Sequence, residues 1–127
     1  MVGISDLAQL LGRMTPGLDP EEYGFGLSQG QVVAGAFATV AEEEGLTVVA
    51  TVAALRAAEV AHQPGWARIS LAVHSDLQAV GLTAAIATAL TAAGISANVI
   101  AGYHHDHVFV QWARRDEAMR ILQGLRA

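Results

Sequence analysis

Hydrophobic residues change their spacing several times along the chain, and each change predicts a different element of secondary structure. Near the N terminus, apolar side chains recur at helical spacing at Ile4, Leu7, Leu11 and Met14. This pattern predicts a first helix over residues 5–13. Short apolar runs bounded by glycine, proline or acidic residues predict three strands, over residues 23–27, 36–40 and 46–50. A second helix is expected from Thr51, a suitable N-cap, to about residue 61.

A turn signal at Gln63-Pro64-Gly65 divides the chain into two halves, which we expect to be residues 1–64 and 65–127. In the second half, alternating apolar and polar residues over 67–74 predict a half-buried strand. The next residues, Ser75-Asp76-Leu77-Gln78, have the form of a capping box, so a helix is expected to begin there.

That helix carries one bulky apolar row, formed by Leu82, Ile86 and Leu90, and Gly94 supplies a left-handed stop. Two further strands and a closing helix are expected over residues 95–101, 108–112 and 116–125. The order strand, helix, strand, strand, helix is a ferredoxin-like split βαβ unit without its last strand, which an N-terminal strand is expected to supply. We therefore predict an α+β fold of interdependent halves, with helices packed against antiparallel sheets.

The composition of the 127-residue chain excludes several kinds of chemistry. It has seven arginines, no lysine and no cysteine, which excludes a Schiff-base lysine, a phosphate-loop lysine and a thiol nucleophile. The net charge is -5 and the arginines are scattered, so nucleic-acid binding is not expected. Hydrophobic residues make up 53% of the chain and charged residues 15%, so we expect apolar surface that a second copy covers in a homodimer.

Two features bear on membranes. Residues 77–103 contain no Asp, Glu, Arg or His and could span a bilayer on length alone, but Gly94, Ser96 and Asn98 interrupt them. The N terminus has no basic leader before its apolar residues and carries Asp6 among them. We therefore expect a cytoplasmic protein with no membrane span.

With these elements placed, residues 73–110 resemble the ACT domain, a regulatory module that binds amino acids in aspartate kinases and other metabolic enzymes. The resemblance rests on Val80-Gly81-Leu82 after the first strand, Ala93-Gly94-Ile95-Ser96 at the helix end and Asn98-Val99-Ile100 in the next strand. It implies a βαββαβ unit of ferredoxin-like type in the second half of the chain.

The first half is similar to the divergent first unit of free-standing bacterial proteins with two ACT units. The similarity rests on residues 7–11, Met14-Thr15-Pro16, Ala38-Thr39 and residues 44–49. The chain departs from the family pattern at Val40-Ala41 and at Gly24 and Gly26, where glycine inside a strand marks a bulge or a close backbone approach. The resemblance implies two ACT-like units in tandem, and the missing last strand of the second half predicts strands exchanged between the halves.

The resemblance also implies a non-catalytic regulatory or sensor protein that needs no cofactor and binds an amino acid or similar small metabolite where ACT-like units meet. The family's ligand positions correspond here to His74, Ser75, Asp76, Ala79, Val80, Gly81 and Leu82 on one side, and to Asn98, Val99 and Ile100 nearby. A helix N terminus offers unpaired N–H groups and positive partial charge to a carboxylate. Asp76 or Asn98 could hold the ammonium group.

Most of these residues also have a structural explanation. Ser75 is explained as a helix cap, Gly81 by close packing, and Asn98 as a buried amide bonded to the backbone. The run His104-His105-Asp106-His107 looks like a metal site, but residues in a strand alternate faces and a catalytic zinc needs three protein ligands. We predict no metal there. Two hypotheses stand beside the sensor: a module that only mediates oligomer assembly, and a metal-dependent hydrolase built on these histidines.

Overall fold

The computed structural model of this chain describes residues 6–73 and 80–126. In chain order, the elements are α1 (Leu7–Arg13), β1 (Thr15–Ser28), β2 (Ala38–Glu42), β3 (Gly45–Thr51), α2 (Val52–Ala57), β4 (His62–Ala72), α3 (Leu82–Ala92), β5 (Asn98–Ala101), β6 (Asp106–Gln111), a 3₁₀ turn (Trp112–Arg114) and α4 (Arg115–Gly124). They form two compact units. The larger unit consists of the described residues of Met1–Asp19 and Ala67–Ala127, and the smaller unit is Pro20–Trp66.

The sheet of the larger unit has the strand order β1-β4-β6-β5. Its edge strand is the first part of β1, residues 15–19, so the predicted completion of this unit by an N-terminal strand is confirmed. The first helix ends at Arg13 as predicted, and Thr15-Pro16-Gly17 begins this strand. An edge strand accepts Pro16 because it leaves some backbone N–H groups without a ladder partner.

Helices cover one face of this sheet and close the main hydrophobic core. Its buried side chains are Leu10, Met14, Ala67, Ile69, Leu71, Val73, Leu82, Ile86, Leu90, Ile95, Val108, Val110, Ala118 and Leu122. The predicted bulky row of α3 is confirmed, and Gly94 has the expected left-handed φ of 73°. Each large side chain buried here contributes roughly 1.5–3 kcal/mol to the free energy of unfolding, so this core dominates the stability of the unit.

The sheet of the smaller unit has the strand order β2-β3-β1-β4, with the six-residue helix α2 on one face. Its cluster is small, formed by Val48, Ala50, Leu55 and Val60. A Cβ on Gly26 would lie 2.8 Å from Val60 Cγ1, and one on Gly24 would lie 3.0 Å from Leu55 Cδ1. The close approach predicted from these strand glycines is therefore confirmed.

The second helix and its end differ from the sequence prediction. Thr51 is the N-cap as expected, and its hydroxyl accepts from Ala54 N at 3.1 Å. Helix α2 then ends at Ala57 rather than near residue 61, since Glu59 adopts a φ of 56° and the chain turns into β4. Gln63-Pro64-Gly65 lies inside β4, because pairing with β1 overrides the local turn preference.

Helix α3 also begins later than predicted. The capping box indicates a start at Ser75, but Ser75-Asp76-Leu77-Gln78 lies outside the described residues. The helix starts at Leu82. The residue before it, Gly81, has a φ of 106°, which is far from the α-helical value and therefore cannot lie inside the helix.

Candidate functional site

The junction between β4 and α3 is the region in which the family resemblance predicts ligand binding. Of the predicted residues, His74, Ser75, Asp76 and Ala79 lie outside the described residues. The others differ in their exposure: Val80 is 83% exposed, Gly81 is half-buried and Leu82 is 3% exposed in the core. Val80 is therefore accessible to a ligand, whereas Leu82 anchors the helix.

Gly81 is required by both backbone conformation and packing. Its φ of 106° disfavours any residue with a Cβ, and a Cβ there would lie 3.1 Å from Leu7 Cδ2 of α1. The close-packing explanation of this glycine is thus confirmed. As the N-cap of α3, Gly81 has no side chain that could bond the N–H groups of the first turn.

The three predicted residues of β5 lie at the edge of the sheet and do not share one face. Asn98 pairs with Phe109 and Ile100 with His107, whereas Val99, between them, packs against the core. Asn98 is exposed, so the expectation of a buried amide is wrong. The reason is its place at the start of an edge strand, where water can bond the amide.

The hairpin between β5 and β6 returns to the end of β4. His105 Nδ1 lies 3.2 Å from the carbonyl oxygen of Val73, the last described residue before the junction. Because a carbonyl oxygen only accepts, Nδ1 is the donor in this bond. The turn is closed by Gly102 N, which donates to His105 O at 2.9 Å, and a Cβ on Gly102 would lie 2.7 Å from that oxygen. Sequence reasoning missed this link between hairpin and junction.

A polar cluster lies beside the hairpin on β4 and β6. His107 Nδ1 is 2.8 Å from Ser70 Oγ, and Arg68 is 3.6 Å from Asp19. Burial lowers the pKa of His107, and the positive charges of Arg68 and His105 lower it further. Burial raises the pKa of Asp106, although His105 opposes that shift.

These side chains do not assemble a metal centre in the part of the chain that the structure describes. No group of three or more His, Asp or Glu side chains there has a metal-binding arrangement. The histidines have other roles, since His105 bonds a backbone carbonyl and His107 bonds a serine.

Comparison with protein families matches both halves of the chain. Two family models, each described as an ACT domain, match residues 2–64 and residues 61–124. The chain belongs to the ACT-domain family. The predicted resemblance and the fold of tandem ferredoxin-like ACT units are therefore confirmed, and the family supports a regulatory role in general. No protein of curated function matches the sequence.

Solved structures agree with the ACT assignment. A protein of unknown function from Vibrio cholerae, described as a possible transport protein, is 40% identical, with 95% of this chain and 96% of that chain covered and a TM-score of 0.83. The regulatory subunit of aspartate kinase from Thermus thermophilus is 12% identical, with 87% and 95% covered and a TM-score of 0.58. The aspartate kinase of Clostridium acetobutylicum, an allosteric enzyme, is 9% identical, with 90% and 34% covered and a TM-score of 0.66. At such low identity, the two kinases show the fold alone.

The helices of the described residues are short or carry charged side chains. Within residues 6–73 and 80–126, none combines the length and the apolar character that a bilayer span requires.

Proposed function

We propose that this ACT protein is a non-catalytic sensor that binds an amino acid or similar small metabolite at the β4–α3 junction of its larger unit. The observation that carries the proposal is the N terminus of α3, which begins after the glycine N-cap Gly81 and corresponds to the ligand position that the family resemblance indicates. Backbone N–H groups at such an end favour a carboxylate. The regulatory subunit of an aspartate kinase among the similar folds is consistent with this role.

The proposed ligand-binding residues are the ten that the family pattern indicates: His74, Ser75, Asp76, Ala79, Val80, Gly81, Leu82, Asn98, Val99 and Ile100. Among the described ones, the exposed Val80 and Asn98 suit direct contact, and the buried Leu82 suits a supporting role. Asp76 or the amide oxygen of Asn98 would accept from an ammonium group. We further propose that the protein is a cytoplasmic homodimer, that residues 1–64 and 65–127 are its two ACT-like sequence repeats, and that a neighbouring ACT-like unit completes the site.

A thermal-shift screen of the proteinogenic amino acids tests the proposal. A compound at about 100 times its dissociation constant stabilises the folded state by roughly 2.7 kcal/mol, which gives a clear rise in melting temperature. Asn98→Ala should reduce that rise, and Gln123→Ala, which removes an exposed amide from α4, should not. A flat screen, with nothing copurifying, would refute the sensor.

The second candidate is an interaction module that only mediates assembly. It is favoured by large apolar side chains at the surface, above all Val32 and Tyr103, which are 88% and 80% exposed. Light scattering separates the candidates: a module without ligand keeps its oligomeric state and melting temperature in every amino acid tested.

A further inference from the structure

The smaller unit repeats the strand-end position at which we propose ligand binding in the larger unit. In the strand order β2-β3-β1-β4-β6-β5, the larger unit has β1-β4-β6-β5, and the smaller unit, read in the opposite direction, has β4-β1-β3-β2. The second place is taken by β4 in the larger unit and by β1 in the smaller unit. The end of β1 at Ser28 therefore corresponds to the end of β4. In the larger unit the chain continues into α3, whereas residues 29–37 of the smaller unit, all of them described, form turns without a helix.

The turn after Ser28 is held by its own side chains. Ser28 is 4% exposed, and its hydroxyl donates to Gln31 O at 2.7 Å and accepts from Gly30 N at 3.2 Å. Gly30 has a φ of 109°, which glycine tolerates best. These bonds fix the backbone that carries the Gln31 side chain.

The amide of Gln31 is bonded at both ends. Its Oε1 accepts from Gln29 N at 2.6 Å, directly after the strand, and its Nε2 donates to Glu59 O at 3.2 Å, directly after α2. A free amino acid bound at a strand end would offer the same two kinds of hydrogen bond. Its carboxylate would accept from a backbone N–H, and its ammonium group would donate to a backbone carbonyl. In the smaller unit, one side chain of the protein supplies both.

We infer that Gln31 fills the ligand position of the smaller unit, so that each chain binds one ligand molecule, and only at its larger unit. The inference rests on the proposed function. It accounts for the turn that replaces a helix after β1, because Gln29 N and Glu59 O, two backbone groups near this strand end, are already paired. The smaller unit then acts as a ligand-independent support.

Equilibrium dialysis against a mixture of the twenty proteinogenic amino acids tests the stoichiometry. Amino-acid analysis of the retained protein should find one mole bound per mole of chain at saturation. Two moles would overturn the inference and leave the sensor function standing. No bound amino acid would refute the sensor function itself, and the inference with it.

Variants of Gln31 locate the bound molecule. Gln31→Ala should lower the melting temperature by about 3–8 °C, since it leaves two backbone groups unbonded, and should change the dissociation constant less than twofold. Gln31→Glu keeps the acceptor and loses the donor to Glu59 O, so it serves if the alanine variant does not fold. Gln29→Ala is the matched control, because only the backbone of Gln29 takes part. A tenfold or greater loss of affinity in either Gln31 variant would place the ligand in the smaller unit and overturn the inference.

Discussion

The two units share one strand order but are stabilised differently. The larger unit buries fourteen described side chains in one cluster and has the helix α3 after β4. The smaller unit has a cluster of four, one short helix and a hydrogen-bonded turn in place of the other helix. The same ACT topology can thus be held by a filled core or by close backbone packing around glycines. Among the described residues, the first arrangement includes an eleven-residue helix after β4, and the second has a turn after β1.

The largest expected effect compares the two cores. Ile86→Ala should lower the free energy of unfolding by about 2–5 kcal/mol, because it leaves a cavity in a filled core. Leu55→Ala should cost about 2 kcal/mol, near the lower limit, because a small cluster collapses more easily. Thr88→Ala, exposed on α3, is the control and should change stability by no more than about 0.5 kcal/mol. Urea denaturation measures all three, and a larger loss at Leu55 than at Ile86 would contradict the comparison.

The second prediction concerns the glycines of the smaller unit. Gly26→Ala should cost about 1–3 kcal/mol, since the new Cβ would meet Val60 Cγ1 at 2.8 Å and the backbone oxygen of Ala61 at 3.1 Å. Gly12→Ala is the opposite control: it lies in α1 with nothing within 4 Å, so it should stabilise by up to about 1 kcal/mol. Equal effects at both positions in thermal unfolding would show that β1 does not depend on close packing.

The third prediction compares the backbone at two open glycines. Gly94→Ala should cost about 1 kcal/mol, and Gly94→Asn less, because a φ of 73° is close to the left-handed region that asparagine tolerates. At Gly30, with a φ of 109°, asparagine should give no such relief. Melting temperatures of Gly94→Ala, Gly94→Asn, Gly30→Ala and Gly30→Asn check this. If Gly30→Asn were as stable as the unmodified protein, the turn before Gln31 would not be fixed.

The sequence predicted the elements whose signals are local. The row of Leu82, Ile86 and Leu90, the stop at Gly94 and the cap at Thr51 depend on neighbours within a few residues, and all three are confirmed. The start of α3 depends on a distant residue instead. Gly81 packs against Leu7, more than seventy positions earlier in the chain, and no local sequence pattern indicates that contact.

The site shows the same limit. The exposure of Asn98 follows from its place on an edge strand, which depends on the order of strands rather than on its neighbours in sequence. Gln31 has no period or motif that would mark it, because its partners are backbone atoms of Gln29 and Glu59. Nearly every residue type has the same backbone N–H and C=O groups, so the sequence does not show which of them a side chain will bond.

The smallest expected effect is a pH dependence confined to the larger unit. The pKa of His107 is lowered in the folded state, so the unfolded chain binds a proton more readily, and stability should fall as pH drops below about 6.5. Asp106 affects stability in a different pH range. Because its pKa is raised in the folded state, stability falls as pH rises from about 4 toward that raised pKa. His107 bonds Ser70, and the charges of Arg68 and His105 act on it. Melting temperatures between pH 7.5 and 5.0 should therefore decline less in His107→Gln than in the unmodified protein. The control His62→Gln alters the smaller unit, and an equal loss of slope there would show that the dependence does not belong to the larger unit.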